Sequence, residues 1–394
     1  MRVACGPMQA AMLGPVRLAL VHDWVTGMRG GERVLDVIAQ AFPGSDLYTL
    51  FYEEGATSPA IDALNVQVSS LARLPGARRH YRKLLPLYPW AADRFPLEGY
   101  DLVLSVSHAV AKNVKVEPGT PHLSYCLTPM RYIWDQIDAY LGKGPRRFLS
   151  APLVGALRRY DRARSHPEHV DRFIAISETV AERIEQHYGR EAAVIHPPVE
   201  TERILPDQQS PDDFYLLVGG FVPYKHEDVA IEAFRHRSER LVIVGEGPTR
   251  QKLMRGAPAN VVFTGRVTDE ALAGYFQRCR ALIYPQEEDF GIAAVEAQAA
   301  GRPVIALGRG GALDTVRPLL TVGAEGRVAE AGDAEATGVY FLDQTPESLN
   351  AAIDVFEAHL DEFKVASIRQ HAERFSSKRF VAELKTQMDS LVQS

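Results

Sequence analysis

The sequence predicts two α/β domains, each built on a doubly wound parallel sheet. The chain has 394 residues, more than a single hydrophobic core usually supports. Short apolar runs alternate with segments of helical periodicity, which is the pattern of parallel strands joined by crossover helices. In each half, a glycine-rich loop follows the first apolar run, at Gly30-Gly31 and at Gly219-Gly220.

Composition narrows the class of protein. A net charge of −6 argues against a nucleic-acid-binding protein, and no apolar run approaches the length of a membrane-spanning helix. The cysteines, Cys5, Cys126 and Cys279, are isolated, which fits a reducing cytoplasm. Residues 1–15 lack a charged start followed by a hydrophobic block, so they are interpreted as a loose extension rather than a signal peptide.

The first domain is predicted to span residues 16–198. Its opening run, Val16–Val21, is typical of a buried strand and ends in His22-Asp23-Trp24. Gly30-Gly31 then precede apolar residues at helical spacing from Val34 to Ile38. Strand, glycine loop and helix let backbone N–H groups approach an anion; a simple tight turn is the alternative. Further strands are predicted at Leu47–Phe51, Asp101–Val106, His122–Cys126 and Phe173–Ile176.

Two stretches of the first domain, 73–95 and 143–164, interrupt the alternation. Both interleave arginine and lysine with leucine and aromatic residues. This pattern is typical of interfacial helices on an anionic membrane. A solvated basic face over an ordinary core stripe is the alternative for either stretch alone, but two in one half favour contact with the inner face of the cell membrane.

The domain boundary is predicted at Pro198, because His196-Pro197-Pro198 ends a strand and cannot continue into a helix. The second domain, 199–374, restarts with a strand at Phe214–Val218, and a C-terminal helix in 375–394 is expected to pack back on the first domain. Further strands are predicted at Leu241–Val244, Val261–Phe263, Ala281–Tyr284 and Val304–Leu307, and helices at Thr249–Met254, Asp269–Gln277, Ile292–Ala299 and Phe375–Leu391.

Residues 280–311 contain two carboxylates in a strand–loop–helix–strand unit. Glu288 lies in the loop, and Phe290-Gly291 lies where the helix should begin, so N–H groups there could face a phosphate. Glu296 lies in a helix otherwise made of apolar residues, where an unpaired buried charge is costly. Ribose or sugar hydroxyls would supply the donors that it needs; two surface carboxylates are the alternative.

Lys225 closes a Gly-Gly-x-x-x-x-Lys loop after the first strand of the second domain. Its ammonium could neutralise a phosphate, although most lysines simply face solvent. The loop is not a P-loop, because His226 stands where a serine or threonine would follow. The chain has no Asp-x-Asp triplet and no histidine cluster, so no bound catalytic metal is expected.

These residues resemble the signature of the retaining family 4 glycosyltransferases, which have the GT-B fold of two Rossmann-like domains facing across a cleft. The signature is Glu288-Asp-Phe-Gly-Ile-x-x-x-Glu296-Ala-x-Ala-x-Gly-x-Pro-Val-Ile-Ala. The likeness covers nearly the whole chain after Pro15. Within the family, the motifs resemble those of the bacterial mannosyltransferases of O-antigen and exopolysaccharide synthesis. Other matching motifs are Val21-His-Asp-Trp-x-x-Gly-x-x-Gly-Gly-Glu32, Ser105-x-Ser-His-Ala-Val-Ala-Lys112, Tyr125-Cys-x-Thr-Pro-x-Arg-Tyr132, Pro197-Pro-Val199 and Val222-Pro-Tyr-Lys225.

The resemblance implies a role for each matching residue. Glu288 would contact the transferred sugar, Glu296 the ribose and Lys225 the diphosphate of the donor. Fixed dipoles and Lys225 would stabilise the departing diphosphate without metal or other cofactor. Further donor contacts are implied for Phe290, Gly291, Ile292, Gly30, Gly31, Gly220, Arg266 and Val267, and acceptor contacts for Asp23, Trp24, Arg131 and Tyr132.

Two positions depart from the family pattern. Leu127 and Phe221 stand where many relatives have a histidine and an arginine. His108 could replace the histidine as a catalytic residue, with a capping or core histidine as the alternative, and His226 or Arg309 could assist Lys225.

The leading hypothesis is a cytoplasmic transferase, bound peripherally to the membrane, that moves mannose from GDP-mannose to a lipid-linked saccharide. A UDP-sugar-dependent enzyme of the same fold and a non-catalytic nucleotide-sugar-binding protein are the alternatives.

Overall fold

The computed structural model describes residues 16–77, 81–135, 137, 145–207, 211–323, 328–330 and 335–393, with backbone alone for 82–83, 145–149 and 328–330. The predicted extension, 1–15, lies outside the described residues. So do 78–80 of the first basic stretch and 143–144 of the second.

The described chain forms two compact units. The first contains residues 16–126, 130–173 and 387–393, and the second contains 127–129 and 174–386. This division falls before the predicted boundary at Pro198, and the predicted domain limits stay a prediction. Within the first unit, Arg172 Nη1 donates to the end of the C-terminal helix, at 2.9 Å to Gln387 Oε1 and 2.6 Å to Ser390 Oγ.

The first sheet is parallel, with the order β3-β2-β1-β4-β5-β6-β7. Its inner strands are buried along their whole length, because apolar residues face both sides of a sheet covered by helices. The sequence did not predict β3, whose alternately exposed residues lack an apolar run. The strands are β1 Leu18–His22, β2 Asp46–Thr49, β3 Asn65–Val68, β4 Leu102–Ser107, β5 His122–Cys126, β6 Arg172–Ala175 and β7 Ala192–Val194.

The second sheet has the order β10-β9-β8-β11-β12-β15-β13-β14. It is parallel except for β14, which pairs antiparallel with β13. The predicted strands Phe214–Val218 and Val304–Leu307 are confirmed to the residue. The strands are β8 Phe214–Val218, β9 Arg240–Val244, β10 Val261–Gly265, β11 Leu282–Tyr284, β12 Val304–Leu307, β13 Pro318–Val322, β14 Val328–Glu330 and β15 Gly338–Phe341.

Helices connect the strands of both sheets, which confirms the predicted α/β class with two doubly wound parallel sheets. Of the described helices, none is long and apolar enough to cross a membrane. The helices are α1 Gly30–Ala41, α2 Pro59–Asp62, α3 Tyr88–Ala92, α4 Pro145–Ala163, α5 Glu178–Tyr188, α6 Glu227–Ala233, α7 Arg250–Gly256, α8 Asp269–Arg278, α9 Ile292–Ala299, α10 Ala312–Thr315, α11 Pro346–Ala358, α12 Val365–Glu373 and α13 Ser377–Val392.

Candidate active site

The sheet of the second unit brings Lys225 and Glu288 together. Lys225 ends a short 3₁₀ turn after β8, and Glu288 lies in the loop after β11, which is the neighbouring strand. The ammonium of Lys225 forms an ion pair with Glu288 Oε1, and Tyr284 Oη donates to Oε2 at 2.6 Å. Burial raises the pKa of Tyr284, so its hydroxyl stays protonated and continues to donate. Glu288 is therefore held from both sides.

The backbone beyond Lys225 turns sharply. His226 has a φ of 52°, in the left-handed region that non-glycine residues seldom adopt, and it immediately precedes α6. Such strained residues persist where the surrounding structure fixes them, often at functional sites. The turn separates Lys225 from the helix and leaves its ammonium at the carboxyl edge of the sheet.

The N-terminus of α9 lies in the same loop as Glu288. The helix begins at Ile292, as predicted, with Gly291 at φ 100° as its cap. A Cβ on Gly291 would lie 2.8 Å from Tyr284 Oη, so only glycine fits there. The first N–H groups of a helix have no intrahelical acceptor and carry partial positive charge. The start of α9 can therefore bind an anion beside Lys225.

Gly310 and Gly311, which precede α10, pack against the loop that carries Glu288. The N–H of Gly311 donates to the carbonyl of Glu288 at 2.7 Å. A Cβ on Gly311 would lie 2.2 Å from Phe290 Cα, and one on Gly310 would lie 2.5 Å from the Glu288 carbonyl oxygen. The close approach of the two backbones fixes the position of Glu288.

Glu296, on α9, is buried with 6% of its surface exposed. The guanidinium of Arg203 lies 4.0 Å from Glu296 Oε1 and also pairs with Asp269 at 2.8 Å. Arg203 therefore supplies positive charge to this buried carboxylate, and contact between Glu296 and the ribose stays a prediction. No sequence pattern identified Arg203, which approaches from the chain before β8.

Loops after three neighbouring strands of the second sheet lie against one another. A Cβ on Gly245 would lie 1.8 Å from the carbonyl oxygen of Gly219, and the N–H of Gly245 donates to Gly265 at 3.0 Å. Gly220 is exposed, as is Arg266, while Val267 is half-buried. The predicted donor-binding segments thus lie along one edge of the sheet, at the carboxyl ends of β8, β9 and β10.

Phe221 is fully buried and contacts Phe263 in the core, with ring centroids 5.9 Å apart. It belongs to the hydrophobic core of the second unit. At the position where many relatives have an arginine, this side chain therefore belongs to the core, and assistance of Lys225 by His226 or Arg309 stays a prediction. The guanidinium of Arg309 donates to the carbonyl of Leu342 at 2.9 Å.

In the first unit, Asp23 is completely buried and organises the turn after β4. Its two carboxylate oxygens accept four backbone N–H groups at 2.6–2.9 Å, from His108, Ala109, Val110 and Ala111. The sequence did not reveal this capping role. A contact between Asp23 and the acceptor stays a prediction.

His108 and Trp24 lie beside Asp23. His108 Nδ1 is 3.2 Å from Asp23 Oδ2, and its ring meets that of Trp24 edge to face at 4.4 Å. Burial lowers the pKa of His108, with Asp23 opposing the shift. Trp24 is 5% exposed, so it contributes mainly to the core. The catalytic role of His108 and the acceptor role of Trp24 stay predictions.

The first unit contains four other predicted site residues. Gly30 and Gly31 open α1, confirming the strand–glycine loop–helix arrangement, and Gly30 is exposed. Arg131 is near enough to His108 to lower its pKa through its charge. Tyr132 is half-buried and packs against the core of this unit. Among the described residues, no three His, Cys, Asp or Glu side chains are grouped as metal ligands.

Two family models match the chain in succession. The glycosyltransferase family 4 model matches residues 28–203, and the model of glycosyl transferases group 1 matches residues 200–355. A D-inositol 3-phosphate glycosyltransferase from Streptomyces avermitilis is 33% identical over 358 residues, 77% of this chain and 74% of that protein. The chain belongs to the family 4 glycosyltransferases. The roles of Glu288 and Glu296 in donor binding stay predictions.

Two further relatives help to define this family 4 member. The O-antigen chain mannosyltransferase C of Escherichia coli is 38% identical over 101 residues, 24% of this chain and 27% of that protein. The chain spans less than half the length of the first curated relatives that it matches. The Anabaena protein HepE, crystallised with UDP, superposes with a TM-score of 0.67 at 15% identity over 95% of this chain and 100% of that one, which confirms the GT-B type of fold.

Proposed function

We propose that this family 4 member is a retaining glycosyltransferase that moves mannose from GDP-mannose to a lipid-linked saccharide in bacterial polysaccharide assembly. The observation that carries the proposal is the pairing of Lys225 with Glu288 beside the N-terminus of α9. A cation and a helix N-terminus suit a diphosphate, and a carboxylate beside them suits the hydroxyls of the attached sugar.

In the proposed reaction, the bond between the sugar's anomeric carbon and the diphosphate breaks as negative charge develops on the departing oxygen. Lys225 and the first N–H groups of α9 stabilise that charge. The acceptor oxygen bonds to the anomeric carbon from the same face, and its proton passes to the departing diphosphate. Glu288, fixed by Tyr284 and Lys225, positions the sugar ring during the transfer.

Mannose is supported by the resemblance to the E. coli mannosyltransferase and to a GDP-mannose-dependent α-mannosyltransferase of Mycolicibacterium smegmatis. A UDP-sugar is the second candidate, since the solved HepE structures contain UDP and UDP-glucose. Calorimetry with GDP and UDP separates the two. Tighter binding of GDP is expected; tighter binding of UDP would exclude the mannosyl assignment.

The deciding experiment is a donor screen on a synthetic acceptor, a mannose disaccharide joined through diphosphate to an undecyl chain. Purified protein is incubated with GDP-mannose and a panel of UDP-sugars, and the product is analysed by mass spectrometry and linkage analysis. We expect mannose transfer with an α-linkage. Binding of nucleotide sugars without transfer from any of them would contradict mannose transfer to this acceptor and would favour the non-catalytic alternative.

We expect Glu296→Gln to raise the KM for the donor about tenfold, because the carboxylate loses charge-assisted hydrogen bonds to the ribose. Steady-state kinetics with GDP-mannose would measure it. Glu270, in the first turn of α8 and exposed, offers a matched control as Glu270→Gln. An unchanged KM for Glu296→Gln would mean that this carboxylate pairs with Arg203 and does not bind the ribose.

Membrane contact is proposed through the two basic-aromatic stretches. In the first, Leu74, Leu87 and Trp90 are exposed at 46%, 44% and 47%, and Arg94 stacks on Trp90 at 4.0 Å. The second stretch contacts the first through an ion pair between Arg164 and Asp93. Exposed apolar side chains beside arginines fit the interface of an anionic bilayer.

Trp90→Glu is expected to weaken binding to phosphatidylglycerol-containing vesicles about tenfold or more, because it removes exposed apolar area and adds a negative charge. Sedimentation with vesicles at low and high salt would measure this. Leu360→Glu, at an exposed leucine of the second unit, is the control. Equal effects of the two substitutions would place the membrane contact elsewhere.

A further inference from the structure

Arg183 forms an ion pair with Asp289, the residue that directly follows Glu288. Arg183 lies on α5, and its Nη1 donates to Asp289 Oδ1 at 2.5 Å. The two side chains are 19% and 9% exposed, respectively, and both residues belong to the second compact unit. The proposed reaction gives neither residue a role, although the pair lies one residue from the carboxylate that positions the sugar.

Asp289 stands between the two parts of the donor site that this loop carries. Glu288 precedes it, and Phe290 and Gly291, which lead into α9, follow it. Consecutive Cα atoms are about 3.8 Å apart, so a fixed Asp289 limits how far either neighbour can shift. The ion pair therefore restrains both the carboxylate that meets the sugar and the N–H groups that meet the diphosphate.

A second contact joins α5 to the segment that packs against this loop. The N–H of Glu178, in the first turn of α5, donates to Asp314 Oδ1 at 3.1 Å, and His196 Nε2 lies 3.0 Å from the same oxygen. Asp314 lies on α10, which directly follows Gly310 and Gly311. The helix that carries Arg183 therefore contacts both the loop itself and the segment that supports it.

The charges in the loop explain why a cation is needed at Asp289. Glu288 and Asp289 are consecutive acidic residues, and Lys225 pairs with the first while Arg183 pairs with the second. A buried carboxylate without a cation is costly, and its charge would repel a diphosphate bound nearby. Arg183 continues to neutralise Asp289 while Lys225 stabilises the departing diphosphate.

We propose that Arg183 is a positioning residue for sugar transfer, which through Asp289 holds the loop of residues 288–291 where Glu288 and the start of α9 meet the donor. This inference rests on the proposed function. The guanidinium stays charged throughout, so Arg183 exchanges no proton with the reactants. It acts on the donor only through the loop and leaves the binding of the acceptor unchanged.

Arg183→Met tests the role of the ion pair, because methionine keeps an apolar stem and removes the guanidinium. A displacement of about 1 Å can cost about a hundredfold in rate, and for a partial shift of this loop we expect kcat to fall about thirtyfold. The KM for GDP-mannose should rise about threefold, with the KM for the acceptor unchanged. Steady-state kinetics with the synthetic acceptor of the donor screen, well below the melting temperature, would measure both.

Arg237→Met is the matched control. Arg237 is another partly buried arginine of the second unit, with 13% of its side chain exposed, and it pairs with Glu239 at 2.9 Å and with Asp354 at 2.8 Å. Glu239 precedes β9, at the opposite end of the sheet from the loop that carries Glu288. The control should lower the melting temperature and leave kcat unchanged.

Asp289→Asn, combined with Arg183→Met, separates position from charge. If Arg183 only neutralised Asp289, removal of that negative charge would restore kcat. If Arg183 holds the loop, the double variant should be about as slow as Arg183→Met alone. Recovery of kcat in the double variant overturns the inference. So does an Arg183→Met variant that, like the control, loses stability and keeps its kcat.

The failure of the proposed function would be recognised separately. If the wild-type protein transfers from no nucleotide sugar, that function is wrong, whatever the variants do. Calorimetry with GDP and UDP then judges the loop alone, because the binding of a nucleotide diphosphate needs no turnover. Weaker binding by Arg183→Met than by Arg237→Met supports the positioning role. Equal binding, or binding by neither variant, overturns it.

Discussion

Lys225→Met is expected to lower kcat for sugar transfer about a thousandfold, the upper range for removing one group that stabilises developing negative charge. The ammonium is the only part of the residue that contributes to this effect, because methionine keeps most of the side-chain length and apolar volume. Single-turnover measurements with saturating GDP-mannose would separate the chemical step from donor binding.

Stability should change far less than activity. The Lys225–Glu288 pair is partly exposed, with 18% and 22% of the two side chains accessible, so its loss should cost about 1 kcal/mol or less. Lys252→Met, at an exposed position of α7, controls for the loss of a positive charge. A Lys225→Met enzyme with near-normal kcat would show that the diphosphate is stabilised elsewhere.

A double-mutant cycle with Glu288→Gln tests whether the two residues act together. If Lys225 stabilises the diphosphate while Glu288 positions the sugar, each single substitution should already remove most of the activity. The activity of the double variant should then be only slightly below that of the less active single variant. Fully additive losses would mean that the ion pair has no catalytic consequence.

The sequence predicted the parts of the fold that carry strong local signals. Short apolar runs such as Phe214–Val218 are typical of buried strands, and both ends of this strand were predicted to the residue. β13 to β15 were missed. β13 and β14 contain polar residues, whereas β15, Gly338–Phe341, is as long as the predicted β12 and equally buried. Their assignment depends on pairing with distant strands, which local pattern does not contain.

The candidate site was predicted only in part for a similar reason. Glu288, Lys225 and the start of α9 belong to continuous motifs, so the chain order alone placed them in loops after strands. Arg203 approaches Glu296 from the chain before β8, and nothing in its local sequence indicates this. Tyr284, which contacts Glu288, ends β11 in the same motif, four residues before the glutamate. A hydroxyl-bearing residue at the end of a strand, as in Tyr284, is the one signal that could have been used.

Gly311→Ala is expected to destabilise the protein by about 1–3 kcal/mol and to lower kcat about a hundredfold. Gly311 has a φ of −63°, which any residue adopts, so backbone strain is not the cause. The cause is space, since a Cβ there would lie 2.2 Å from Cα and 2.4 Å from the carbonyl oxygen of Phe290. These are backbone atoms, and no change of rotamer relieves the overlap.

The loop that carries Glu288 must therefore move when Gly311 gains a methyl group, and both the Glu288 side chain and the start of α9 move with it. Gly274→Ala is the matched control, because Gly274 lies inside α8 with open space around its Cβ position. That substitution should stabilise the protein by up to about 1 kcal/mol through helix propensity and leave kcat unchanged. Thermal unfolding and steady-state kinetics of the two variants would show whether the backbone contact at Gly311 holds Glu288 in its active position; a fully active Gly311→Ala would refute it.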